Sequence, residues 1–440
     1  MSSAAQPARR SAVPQRLTIV TPTTAQFHSG TYRIGSSATA RGHEVTVIGR
    51  WAPGLAIEER HPAGYRIIRI ASDPREGWLM PSGMRDQVRR RAAARSRRTP
   101  ESPAEASGAV KPWGARLVHG AGRALEIRAN TFEAVRIAPP ADLVIAYHYL
   151  GIGSGLALGR RDACPVIYDA GDIFMASTAI RALPWPARFA IERYERSAAQ
   201  RADSVVTAND GYADELAVRL DVPRPVVVLN CPPRRDPPAA SPRRFHEALG
   251  LAPSTRVVLY HGGFTAERGI EELIAAIPAV PDAVLVLLGF GPLAGRYEAI
   301  AADPATAGRV RVLPAVPPEE LLDWVASADV AAMPILPTTL NHRLTTPNKL
   351  WEALSVGVPV VASDLPGMAP VVRAIDAGAL VDADEPGSIA AGLVAVLGSP
   401  EAERLARRER ILAAARGTYN WEVQSGHLFG EFERLTQRPW

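Results

Sequence analysis

Short apolar runs and amphipathic stretches alternate along the whole chain. RLTIVTP (16–22), HEVTVIG (43–49), YRIIRIA (65–71), DLVIAYHY (142–149), PVIYDA (165–170), DSVVTAN (203–209) and PVVVLN (225–230) are rich in β-branched residues. Each is apolar nearly throughout, the pattern of strands covered on both faces by helices. CPPRRDPPAASPRR (231–244) then breaks the rhythm with proline and reads as a linker. A second series follows: RVVLYHG (256–262), AVLVLLG (283–289), RVRVLPA (309–315), DVAAMPI (329–335), VPVVAS (358–363) and GALVDA (378–383). RGIEELIAAI, PPEELLDWVASA and PNKLWEALSVG predict helices between them. Strands alternating with helices mean parallel α/β sheets. The pattern therefore predicts two Rossmann-like domains facing a cleft. A disordered tail covers 1–15, a first domain 16–236 and a second 237–418. An amphipathic helix at 419–440 follows the completed second domain.

Composition narrows the class. With 440 residues, 47% of them hydrophobic and 22% charged, the chain can bury two cores. No run reaches the roughly 20 apolar residues of a membrane span, and the polar start MSSAAQPARRSAVPQR lacks the apolar centre of a signal peptide. A cytoplasmic protein is expected. Cys164 and Cys231 have no metal-ligand spacing around them and read as reduced thiols.

The net charge is only +5, but it is uneven. Segment 84–114 interrupts the first domain with seven arginines, from Arg85 to Arg98, followed by Pro, Ser, Glu and Ala. Two readings stand. One is a disordered insertion. The other is a polybasic contact with an anionic membrane surface, about 1 kcal/mol per charge. Nucleic acid is disfavoured, because no aromatic residues interleave the arginines.

Only two lysines occur, Lys111 and Lys349. In TTPNKLWEALSVG, Thr346 is the expected N-cap and Pro347 the first helical residue. Asn348 and Lys349 then fall in the first turn, where backbone N–H groups favour an anion. Glu352, one turn on, has the reach to hold both hydroxyls of a ribose. An ordinary Lys–Glu surface pair is the competing reading, although a helix N-terminus opposes a lysine. LYHGGFTAERGIEEL repeats the arrangement. Gly262 and Gly263 follow a strand, Thr265 is the expected cap and Arg268 the first-turn cation, with Glu271 or Glu272 as its alternative partner. Gly289 and Gly291 of LLGFGP offer backbone to a nucleotide base.

Taken in order, HGGF…ERGIEEL, LLGFGP and PNKLWEALSVGVPVVASDLPGM resemble the donor domain of GT-B glycosyltransferases of the family 4, or "group 1", type. The resemblance covers nearly the whole chain. It implies a retaining transfer from a nucleotide-diphosphate sugar to a glycan or lipid-linked acceptor, with no metal or other cofactor. It implies that Glu352 holds the ribose, that Arg268 and Lys349 face the diphosphate or sugar, and that the last helix crosses back to the first domain. Two positions depart from the family. Leu344 stands where a second glutamate is common, and Gly263 where an arginine is common. In the first domain, the family's active-site histidine falls on Tyr147 without a gap, with His148 one residue later. YDAGDIF places Gly171 and Asp172 at a family His–Glu pair. The loop TTAQFHSGTYR, with Gly30 and Arg33, matches a donor-and-acceptor loop. His148 and Asp172 thus join Arg268 and Lys349 as candidate catalytic groups. A sugar-nucleotide epimerase and a non-catalytic nucleotide-sugar binding module remain alternatives. An NAD enzyme is disfavoured because no GxGxxG follows the first strand.

Overall fold

The computed structural model describes residues 13–26, 28–70, 127–128, 130–236, 242–306 and 308–440. The 84–114 insertion with its arginines lies outside the described residues, as do most of the expected tail and part of the linker.

Both expected sheets form. The first contains β1 (Arg16–Val20), β2 (Glu44–Arg50), β3 (Glu58–Arg60), β4 (Arg66–Ile70), β5 (Leu143–Tyr147), β6 (Val166–Asp169), β7 (Ser204–Thr207) and β8 (Val226–Val227). Its order is β3-β4-β2-β1-β5-β6-β7-β8, parallel except for β3. The second contains β9 (Arg256–Gly263), β10 (Ala283–Phe290), β11 (Val310–Pro314), β12 (Val330–Met333), β13 (Val360–Ser363) and β14 (Gly378–Val381). Its order, β11-β10-β9-β12-β13-β14, is the doubly wound arrangement. Connections reverse direction between β9 and β12, and a ligand crevice opens at such a switch point. β1 and β5 make the corresponding point in the first sheet.

The all-apolar strands are buried as their sequences require: Ile19, Val47, Ile145 and Ile167 in one sheet, Val258, Leu285, Val330 and Val361 in the other. β3 was not foreseen. Its three residues, Glu-Glu-Arg, are all exposed on a sheet edge, where charge discourages further pairing and hides the strand from hydropathy. It has one buried partner. Arg69, 1% exposed, donates to Glu59 Oε1 at 2.6 Å and to the carbonyls of Thr24 and Ala56.

The last helix, Trp421–Thr436, returns to the first domain. Trp421, Leu428, Phe429 and Phe432 join a core with Leu17, Ile34, Val47 and Ile145. Trp421 Nε1 donates to Ser37 Oγ at 2.6 Å, and Gln424 Oε1 accepts from Leu229 N at 3.0 Å. Both cysteines are free. Among the described residues no helix is long and apolar enough to cross a membrane.

Candidate functional site

β9 ends at the switch point of the second sheet, and helix Asn348–Ser355 packs its first turns over that end. Lys349 Nζ sits 3.5 Å above the Tyr260 ring, a cation–π contact. Its Cε is 3.9 Å from where a Gly262 side chain would begin, and Gly262 holds φ +115°. That backbone favours glycine. One turn along, Glu352 Oε2 accepts from His261 Nε2 at 2.8 Å. The surface Lys–Glu pair does not form: Lys349 makes no ion pair among the described residues. Desolvation, and then the neighbouring Arg268, hold its ammonium well below the usual range. Glu352 is held below the ordinary carboxylate range. Burial opposes this, while His261, Arg33 and Lys349 favour the anion.

The caps differ from expectation. Pro347, not Thr346, is the N-cap of the Lys349 helix and makes no side-chain cap. The Thr346 hydroxyl instead accepts from Asn209 Nδ2 at 3.1 Å. Likewise Thr265 caps nothing. Helix Ile270–Ala276 starts after Gly269, which packs so closely on the Pro334 carbonyl that a Cβ would lie 1.7 Å from it. Arg268 therefore precedes the helix, its Nε donating to Thr265 Oγ1 at 3.3 Å. Among the described residues it pairs with neither Glu271 nor Glu272; Glu271 lies 3.8 Å from Arg296. The result is two basic side chains that influence each other and form no salt bridge among the described residues, with Glu352 the nearby anion felt by Lys349 and Arg268 acting on Asp172.

The glycines divide. Around Gly263 there is open space. Gly289 and Gly291 are fixed by packing: a Cβ would lie 1.9 Å from the Gly262 carbonyl or 2.4 Å from that of Phe264. These contacts require glycine at both positions near the end of the strand. Phe290 between them is 66% exposed and offers an aromatic face beside Gly263, its partner in register.

On the facing domain, Gly30 lies in the first turn of helix Ser29–Ala40 and not in a loop. His28 caps that helix, its ring edge-on to Tyr147 at 4.6 Å. Burial pushes this imidazole down to about 4. Arg33, 8% exposed, donates to the Asn230 carbonyl at 2.6 Å and to its side-chain oxygen. Asn230 Nδ2 in turn donates to Ser29 Oγ and, at 2.7 Å, to Asn348 Oδ1. Asn348, expected at a donor, thus bridges the two domains.

His148 follows β5 with φ +66°, a backbone that only a few per cent of non-glycine residues adopt. Its Nδ1 accepts from Leu150 N at 3.2 Å and its ring lies 3.6 Å from that of Phe174. Asp172 keeps contact with solvent but is hemmed in by both domains. Lost hydration raises its carboxyl, while Asn341, Tyr212 and Arg268 lower it. Burial also raises Asp169, to about 7, with Asp172 adding to the effect. Leu344 packs on the first domain beside Gly211, so the departure from the family pattern serves the domain contact.

Sequence reasoning missed His261, Asn230 and Asn209. His261 stood in the quoted HGG, yet only the folded strand brings it to Glu352, 91 positions away. Among the described residues no cluster of three or more His, Cys, Asp or Glu side chains is placed to hold a metal.

Residues 255–399 match a profile described as glycosyl transferases group 1. The D-inositol 3-phosphate glycosyltransferase of Xylanimonas cellulosilytica is 29% identical over 329 residues, 70% of this chain and 75% of that protein. The enzyme of the same name from Segniliparus rotundus is 30% identical over 192 residues, 42% of this chain and 41% of that one. Among solved structures, sucrose-phosphate synthase from Thermosynechococcus elongatus superposes with TM-score 0.72 at 18% identity, covering 96% of this chain and 99% of the other. Anabaena HepE in complex with UDP-glucose gives 0.62 at 15%, covering 96% and 100%.

Proposed function

Since the chain is a glycosyltransferase of GT-B fold with a group 1 domain at residues 255–399, we propose that it moves a hexose-type sugar from a nucleotide diphosphate to a glycan or lipid-linked acceptor. Retention and independence of metal belong to the same proposal. The observation that carries it is the pair of basic side chains Arg268 and Lys349, neither in a salt bridge among the described residues, at the switch point of the second sheet with Lys349 beside Gly262. Two basic groups that disfavour each other's charge suit a dianionic ligand, and the glycine backbone leaves room for it. Glu352, fixed by His261 through one oxygen, keeps the other for ribose hydroxyls. The UDP-glucose complex of HepE supports a nucleotide-sugar donor.

In this mechanism the bond from the sugar's anomeric carbon to the diphosphate breaks while a bond to an acceptor hydroxyl forms on the same face. The acceptor proton passes to the departing phosphate oxygen. Arg268 and Lys349 stabilise the charge gathering there, without reorganising at the moment of reaction. The contacts of Asn230 with Asn348 and of Asn209 with Leu344 and Thr346 hold the two domains together, and a cleft kept closed in this way excludes water and limits hydrolysis of the donor.

The test is calorimetric titration with UDP, GDP, ADP and TDP on the wild type and on Glu352→Ala. One nucleotide should bind the wild type, and the variant should lose it. If none binds, or Glu352→Ala binds equally well, the donor site is elsewhere. Interconversion of a sugar nucleotide without release of the nucleoside diphosphate would point to the epimerase alternative.

A further inference from the structure

Helix Trp185–Ala199 carries an unusual outer face. Trp185 and Phe189, one turn apart, are 69% and 59% exposed. Two large aromatics in water on one short stretch need a partner more often than scattered apolar residues do. Around them Arg181, Arg188, Arg193 and Arg196 are all exposed, and no exposed acid occurs from 181 to 200. Of the two acids of this helix, Glu192 is half-buried and Glu195 is 2% exposed, accepting from the Tyr168 hydroxyl at 2.6 Å. Arg188 and Arg193 form no ion pair among the described residues. Arg196 Nε donates only to the Arg219 carbonyl.

We infer that this face, Trp185 and Phe189 ringed by Arg188, Arg193 and Arg196, docks the protein on an anionic bilayer surface. The chemistry matches that surface. A tryptophan ring sits at headgroup level with one apolar and one polar edge. Arginines keep their stems on the apolar boundary and their guanidinium groups among the phosphates. Uncompensated positive charge with aromatics on one side of a helix is the interfacial pattern. A protein partner would be expected to meet charges of both signs, and this face offers one.

Position adds to the case. Arg181, just ahead of the helix, donates to the Thr338 carbonyl of the other domain at 3.3 Å. Phe174, in the segment before it, packs its ring against that of His148 with the planes inclined by 52°. The start of this helix therefore lies close to the contact between the domains. An acceptor held in the membrane would enter from there. That last step rests on the proposed lipid-linked acceptor; the docking does not.

The test is flotation of the full chain with vesicles of phosphatidylcholine alone and with added phosphatidylglycerol, comparing wild type, Trp185→Ser/Phe189→Ser, and Arg188→Ala/Arg193→Ala. Wild type should float only with the anionic vesicles. The aromatic pair should abolish flotation, and each arginine removed should weaken it about fivefold. Nucleotide titration of the same variants checks that they are folded and keeps this result separate from the donor site. Equal flotation of wild type and the aromatic variant would overturn the proposal, as would wild type that never floats. So would a wild-type dimer that the aromatic variant turns into a monomer with flotation unchanged, because the face would then be a self-association surface.

Discussion

Lys349 carries a proton with difficulty. It is desolvated, faces Arg268 and has only Glu352 in its favour, so its ammonium loses the proton more readily in the free protein than in water. A bound diphosphate brings negative charge and reverses that. Nucleotide binding should therefore take up a proton, and affinity should fall as pH rises through the depressed lysine value. Calorimetry in buffers of different ionisation enthalpy reads that uptake directly, and Lys349→Ala should remove it. The same variant should lower kcat by about 10²–10³, the usual cost of one charge-stabilising donor. Unchanged turnover would overturn the electrostatic mechanism. Lys349 stood out in the sequence because a helix N-terminus opposes a lysine, and Glu352 because it lies one turn further along the same helix. His261 was not, because a histidine at a strand end has no local signature.

At the level of elements, strands buried on both faces announced themselves and edges did not. β3 hides behind three charged residues, although one of them, Glu59, accepts from the buried guanidinium of Arg69. Helix starts were read one to four residues off at Thr346 and Thr265. Threonine is a common cap, but packing of Gly269 on Pro334 and the bond from Asn209 to Thr346 decided otherwise. Helix Trp185–Ala199 shows an opposite case, a carboxylate on the inner side of an amphipathic pattern. Burial raises Glu195 to about 7, above its unfolded value. The folded state thus binds the proton more tightly, and stability falls as pH climbs from the ordinary carboxylate range through 7. Melting temperature should drop by several degrees between pH 6 and pH 8, and Glu195→Gln should flatten that slope. An equal slope in both proteins would place the titration elsewhere.

Over the whole molecule, the two sheets and the returning helix followed from hydropathy together with the family resemblance. Which residues meet across the cleft did not follow from either. Asn230 with Asn348, and Asn209 with Leu344, are short polar contacts between segments more than a hundred positions apart, and no periodicity encodes them. The returning helix yields a simple expectation. Ending the chain at residue 418 would strip Trp421, Leu428, Phe429 and Phe432 from the first domain's core. Each such side chain contributes roughly 1.5–3 kcal/mol, so the four together, about 6–12 kcal/mol, are comparable with the whole margin of an ordinary domain, roughly 5–15 kcal/mol. The shortened protein should be insoluble or melt far earlier, as soluble yield and thermal unfolding would show. An unchanged melting temperature would mean that the first domain stands alone.

That helix also sets an order of events during synthesis. The first domain begins at β1, but the apolar wall against which β1 and β2 close is translated last. The second domain, complete in sequence before Trp421 is made, can fold while the first is still open. In topological terms the second domain is an insertion within its neighbour, and the half of the protein made first is the half finished last.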